Sequence, residues 1–456
     1  MKEMPLDNVL FLTPIFLYLG SIVAVVIFVH SKAEDKEYFF AGRTIGSFQA
    51  VLSVVATETS VATTVIFPAA GLAGGYVLIW MLLGYITGRT IVALFYLRAL
   101  YDSNRLTIYQ TMSGSHRFLE STYLLAKYIS GGARYFIAGF ALQQILGGHA
   151  IVWILAVAAC GGAYSLMYLL RAVVIMDQIQ SVLIVGTGVF LCFFLAYTLP
   201  TANMTAPAFY DLNPANYTFS PILFIAGTVL SIGSHGADQD LLLRILATKS
   251  FPKARRSLIL SGFAAAFLIT IYLTIGYLLR NASVSSLDPK SPLADFVIKA
   301  NLPLLRGIFL VLLSAAAMSS LDSTIHATGA IWKSLTRSQL PGRYWSAFSL
   351  GVMICFAVFF MRISEHYKDF LALCMGSMNY VNGGLIAIAT VFTFFRDRIT
   401  PAGVMGALIA GFANTSVCEW AFAKPVPWTY TLLISVSLAF AVCMLYGTLG
   451  KRSGST

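Results

Sequence analysis

Apolar runs long enough to cross a bilayer alternate along the chain with short polar connections. They fall near 9–30, 47–70, 75–97, 121–147, 150–169, 173–198, 221–246, 257–279, 303–333, 344–361, 369–395, 401–422 and 427–449. Each is close to the roughly 20 residues that a helix needs to span a hydrocarbon core of about 30 Å. The pattern predicts an all-α integral membrane protein with about 13 transmembrane helices. No connection could house a catalytic domain, so any function is expected inside the membrane. The first run is longer than a signal-peptide core and lacks a clear small-residue cleavage site, which predicts a retained span.

Two runs carry polar residues where lipid would be. In 47–70 the sequence Thr57, Glu58, Thr59, Ser60 sits mid-span; in 221–246 and just beyond, GSHGADQDLLLRILATKS (233–250) groups Gly233, Ser234, His235, Gly236, Asp238, Gln239 and Asp240. A carboxylate at the bilayer centre costs roughly 2.5–3.5 kcal/mol on insertion scales, so Glu58 is expected to face protein, water or an ion. With the first run set aside as peripheral, the next ten divide into two groups of five, and an odd group size turns the second upside down relative to the first. The interruptions then open the leading run of each half. This is the plan of transporters built on inverted repeats, whose broken helices line a midplane cavity. The expected divisions are 1–46 (peripheral helix and cytoplasmic loop), 47–198 (first repeat), 199–220 (external loop), 221–395 (second repeat) and 396–456 (two further helices and a short cytoplasmic tail).

Composition agrees: 58% hydrophobic, 11% charged, mean hydropathy +0.79. The net charge of +11 comes from clusters between runs and not from one polar face, which argues against nucleic acid. About 20 Lys and Arg fall on one side and about 8 on the other, and 199–221 has none. The positive-inside rule therefore places the N-terminus outside and the C-terminus in the cytoplasm of a plasma (inner) membrane. The six cysteines lie in or beside apolar runs without CxxC spacing, as packing residues do. There is no paired metal motif, GxSxG elbow or phosphate loop, so an enzyme is not expected, nor is an obligate protein partner.

Six stretches in order, YFFAGRTIGSF (38–48), ATETSVATTVIFPAAGLAGG (56–75), LRAVVIMDQIQ (170–180), GADQDLLLRILATKS (236–250), AAAMSSLDSTIHATG (315–329) and SMNYVNGGLIA (377–387), resemble the sodium:solute symporter family. The resemblance implies a LeuT-type fold of five plus five helices, with one extra leading helix and two trailing ones, and sodium-coupled symport of a small polar solute. It also implies a sodium site between the first core span and the eighth, formed by carbonyls of Ala56, Thr59 and Ala316 and hydroxyls of Ser319 and Ser320. Chemistry independent of the family supports this, because a hard cation takes several oxygens and residues three and four apart share a helix face. Small serines also serve helix packing, the competing reading. In family members with two sodium ions an aspartate matching Asp177 joins hydroxyls; the matching set here is Asp177, Ser319, Asp322 and Ser323. One ion or two, and proton coupling through Asp177 and Asp322, stay open.

For the solute cavity the sequence offers Glu58, Ser60, Thr63, Arg134, Gln143, Ser234, His235, Asp238 and Gln239, with Asn379, Tyr380 and Asn382 as a gate or a bend. Arg134 has two roles open to it: a structural pair with Glu58, or the grip on a solute carboxylate, since some family members bind acidic solutes through an arginine on the third core span. Alternatively Glu58 holds an amine or adds field strength near sodium. One sodium moving through a tenfold gradient and ~100 mV supplies roughly 2.3 kcal/mol electrically and about 1.4 kcal/mol chemically, enough to concentrate a neutral solute on the order of several hundred-fold. A solute receptor on the same scaffold is the competing class, although no signalling module follows the last run.

Overall fold

The computed structural model describes residues 6–28, 39, 41–103, 105–111, 116–167, 170–199, 206–216, 218–281, 287–289, 291–364, 379–395, 398–421 and 426–453. These form α1 (Leu6–Phe28), α2 (Ser47–Glu58), α3 (Val61–Gly74), α4 (Ile79–Asp102, with a π turn at Val92–Tyr96), α5 (His116–Leu146), α6 (Ala150–Met167), α7 (Leu170–Thr198) and α8 (Ser220–Gly236). After α9 (Gln239–Leu246) come α10 (Phe251–Asn281), α11 (Pro292–Ala300), α12 (Pro303–Thr336), α13 (Gly342–Ser364), α14 (Asn379–Phe394), α15 (Pro401–Trp420) and α16 (Trp428–Ser453). No strand occurs among the described residues, only one isolated bridge between Ile45 and Thr248.

Eight of these helices are long and apolar enough to cross a membrane, or up to eleven if each of three bent pairs counts as one. The bent pairs are α2–α3 (73°), α5–α6 (117°) and α8–α9 (64°). The first and third are the two interruptions anticipated from polar residues. Thr59 (φ −83°, ψ 106°) and Ser60 (φ −107°, ψ 172°) are extended at one, and Asp238 (φ −98°, ψ 115°) at the other. Asp238 caps α9 by accepting a hydrogen bond from the Asp240 amide at 2.9 Å.

At the centre stands α12, 34 residues long. Every residue from Ala315 to Ile331 is buried, which suits a helix that is small and apolar on all sides with hydroxyls interspersed. Helices α2, α5, α6, α7 and α13 pack around it, and α1 lies along its outer flank. Glycines set the closest crossings. A Cβ on Gly276 of α10 would lie 1.9 Å from the Pro68 carbonyl oxygen of α3, and one on Gly71 would lie 2.1 Å from that of Leu273. Such backbone proximity needs residues without side chains. Gly276→Ala is therefore expected to destabilise the protein by about 1–3 kcal/mol through forced separation of α3 and α10, read as a lowered thermal midpoint in detergent.

The loop ahead of α8 is tied by Asp211, whose carboxylate accepts hydrogen bonds from the Thr218 hydroxyl, the Asn213 amide and the Asn216 side chain. These donors hold its carboxyl below the usual range. The tie is therefore intact at neutral pH and is lost only as acid protonates the group.

Candidate functional site

A helix that stops in mid-membrane leaves carbonyls without amide partners, and these must be satisfied by protein, water or an ion. At the α2–α3 break the partners come from α12. The Ser319 hydroxyl donates to the Ala56 carbonyl at 2.9 Å, and the Ser320 hydroxyl lies 3.0 Å from the Thr57 carbonyl and 3.2 Å from that of Thr59. Ser319 Oγ is also 3.2 Å from the carbonyl of Ala316. The five positions anticipated for sodium, Ala56, Thr59, Ala316, Ser319 and Ser320, thus meet in one buried cluster of oxygens. Among the described residues no cationic group contacts the Ser319 or Ser320 hydroxyls, and an all-oxygen donor set suits a hard monovalent ion.

The second anticipated set does not assemble. Asp177 of α7 and Ser323 of α12 do approach one another, but the guanidinium of Arg244 lies on both. Its Nη2 is 2.9 Å from Asp177 Oδ2 and 2.6 Å from Ser323 Oγ, and its Nε is 2.7 Å from Ser53 Oγ. Asp322, anticipated beside Asp177, faces elsewhere: a Cβ on Gly161 of α6 would lie 3.0 Å from its Oδ1. Here Ser319 and Ser323 look to α2 while Asp322 looks to α6.

Glu58 closes α2, and both of its oxygens are taken. Oε2 pairs with Arg89 of α4, and Oε1 lies 2.6 Å from His235 Nε2. Arg134 is therefore not its partner, a correction to one of the two roles anticipated for Arg134. Arg89 itself is wholly buried, and Nη1 donates to Ser261 Oγ at 3.1 Å; Gly262 leaves room for its stem, since a Cβ there would sit 3.1 Å from Arg89 Cδ. Sequence reading passed over this arginine, although a cation in the middle of run 75–97 carries the same signal as Glu58.

Between the two breaks lies a cavity of about 280 Å³. Glu58, Thr63, Arg134, Ser234 and Asp238 line it, together with Lys127 and Asp240, and Phe67, Met81, Leu268 and Ile269 supply an apolar wall. Lys127 binds both carboxylates of the second break, Asp238 at 2.8 Å and Asp240 at 2.9 Å. Among the described residues Arg134 makes no ion pair or hydrogen bond. The remaining anticipated cavity residues do other work. Gln143 sits at the exposed end of α5 and bonds Gly148 O at 3.0 Å. Gln239 is buried and clamps the chain at Leu106 O (3.1 Å) and Ile108 N (2.9 Å). His235 is behind Glu58, and the Ser60 amide donates to Thr63 Oγ1 at 3.1 Å at the start of α3. Of the anticipated gate, Asn382 borders a small neighbouring cavity with Ser234 and Asp238; the side chains of Asn379 and Tyr380 lie outside the described residues.

The fold is shared with a solved transporter. The substrate-bound, outward-open state of a Na+-coupled sialic acid symporter superposes with a TM-score of 0.80 at 17% identity, covering 96% of this chain and 98% of that one. This chain has the fold of a sodium-coupled symporter. MhsT, solved in complex with L-phenylalanine, is similar in fold more distantly (TM-score 0.57, 13% identity, covering 89% and 98%). In sequence the chain is similar to the human sodium/iodide cotransporter, 22% identical over 425 residues, or 84% of this chain and 64% of that protein. It is also similar to the sodium/sialic acid symporter SiaT of Proteus mirabilis, 21% identical over 345 residues, or 70% of this chain and 69% of that protein. The chain thus aligns with just under two thirds of the human cotransporter's length. No family model matches it.

Proposed function

We propose that this protein is a sodium-coupled symporter that moves a small carboxylated solute across the plasma membrane by alternating access. The observation that carries the reading is the meeting of the Ser319 and Ser320 hydroxyls with carbonyls freed at the α2–α3 break. Sodium held by Ala56, Thr59, Ala316, Ser319 and Ser320 would join the broken helix to α12. Binding there favours whichever arrangement brings the two together, and loss of the ion on the cytoplasmic side releases it. The C-terminal end of α2 points its partial negative charge toward the same place.

In this reading α2–α3, α4, α5, α6 and α7 form one repeat (47–198) and α8–α9, α10, α12, α13 and α14 the inverted second (221–395), with α1, α15 and α16 outside them. The α5–α6 pair, bent by 117°, counts as two spans because α5 alone has 31 residues. With α14 included the total is about 13. Lys127 and Arg244, counted by position among cytoplasmic loop cations, are buried partners of carboxylates. Removing them still leaves the inside connections about twice as rich in Lys and Arg as the outside ones, which supports a cytoplasmic C-terminus.

Arg134 is the solute anchor. The other charges on the cavity wall are already engaged, and a guanidinium suits a carboxylate held by two parallel hydrogen bonds. Relatives named for sialic acid and for iodide, both anions, support the same polarity. Phe67, Met81, Leu268 and Ile269 would take an apolar portion of the solute.

A thermal-shift screen of small carboxylates in sodium and in potassium identifies the solute, and uptake of that labelled solute into proteoliposomes with and without a sodium gradient tests coupling. Sodium-independent binding with no uptake would instead make the protein a receptor. Arg134→Gln is expected to raise KM for the solute about tenfold to a hundredfold, the loss of one charge-assisted contact, while half-saturation by sodium changes little. An unchanged KM would remove Arg134 from the solute site.

A further inference from the structure

We propose that Arg244 is a built-in counter-cation to Asp177 that fills the place of a second sodium, so that one sodium binds per chain. This rests on the sodium-coupled reading above. The residues that would ligate a second ion are Asp177, Ser319, Asp322 and Ser323; three of them are committed to other partners and the fourth is turned away. Asp177 Oδ2 receives Arg244 Nη2 at 2.9 Å, Arg244 Nε at 3.1 Å and the Ser53 hydroxyl at 2.5 Å. Ser323 Oγ receives Arg244 Nη2 at 2.6 Å, lies 3.1 Å from Thr57 Oγ1, and donates to the Ser319 carbonyl at 2.8 Å. Ser319 Oγ is spent on Ala56 in the first site. Asp322 lies against α6 near Gly161.

What remains on the Arg244 side of α12 is Asp177 Oδ1, which has no hydrogen-bond partner among the described residues; the Asp322 carboxylate is turned to Gly161 on α6 and does not join it. One oxygen does not replace a hydration shell, and an ion there would stand beside a fixed positive charge. Arg244, Asp177, Ser53 and Ser323 are all fully buried, so no water screens that repulsion. The guanidinium is also held from its own helix, with Nη1 donating to Asp240 O at 3.0 Å, which fixes its plane toward α2, α7 and α12. Arginine suits this post better than lysine would, because its planar fork reaches Asp177, Ser53 and Ser323 at once and keeps its proton.

Equilibrium binding of radioactive sodium to the purified full-length protein in sodium-free choline buffer counts the ions directly. One ion per chain is expected for the native protein. One is also expected for the double variant Asp177→Asn/Arg244→Gln, in which both charges leave together and no lone charge stays buried. Two ions on the native protein would overturn the inference and leave sodium coupling standing. No ion would overturn both. Loss of the one ion in a double variant that still unfolds cooperatively on heating would put Asp177 among the ligands and overturn the inference; if the variant does not fold, the native count still decides.

Discussion

Replacing Ser319 and Ser320 together by alanine is expected to weaken sodium by roughly a hundredfold or more and to abolish sodium-driven uptake at millimolar sodium. Each hydroxyl removed is a dipole on a cation, and hydrogen bonds to charged groups contribute about 1.5–3 kcal/mol each, so the pair amounts to at least about 3 kcal/mol. Alanine keeps α12 helical, since it is the best helix former and the change deletes only an oxygen. The carbonyls of Thr57 and Thr59 lose their hydroxyl partner as well, and that of Ala56 keeps only the Thr59 amide at 3.2 Å, so a modest drop in thermal stability accompanies the functional loss. The decisive measurement is the sodium concentration at half-maximal uptake in proteoliposomes. If it stays where the native protein has it, the ion lies elsewhere.

Arg244→Met is expected to cost about 3–5 kcal/mol of folding stability, among the largest effects available in this chain. The methionine fits the volume but leaves Asp177 ionisable, buried and without its cation, and breaking one half of a buried pair is far more costly than removing both halves. Adding Asp177→Asn to the same chain should recover most of the loss, and thermal unfolding of the two single variants and the double gives the coupling. Additive effects, with no recovery, would show that Arg244 acts through Ser53, Ser323 and its packing instead of through the aspartate.

Much of the site was legible because membrane burial gives polar residues a strong meaning. Glu58 among threonines, and the glycine and aspartate cluster at 233–240, marked the two breaks; the hydroxyls of Ser319 and Ser320, adjacent on one helix, marked the partner face. The pairing of charges was much less legible. Lys127 and Arg244 stand within a few residues of span ends, where a hydropathy window cannot separate a loop cation from one folded back into the protein. Arg89 was visible as a mid-span charge, yet only three-dimensional packing decides whether it or Arg134 reaches Glu58. Gln143 and Gln239 failed as cavity residues for a related reason: a polar side chain at a helix end has backbone groups to satisfy close by. Spacing records which face a residue occupies and is silent on which neighbour arrives there.

A positive charge that is part of the chain travels with the protein and is never released, so it draws no energy from either bathing solution. If a single mobile cation accompanies a solute of charge minus one, the cargo is neutral as a whole. Membrane voltage then does no work on its passage, and the greatest enrichment the cell can reach equals the ratio of sodium across the membrane. Exchanging Arg244 for a dissociable ion would make the same carrier electrically driven.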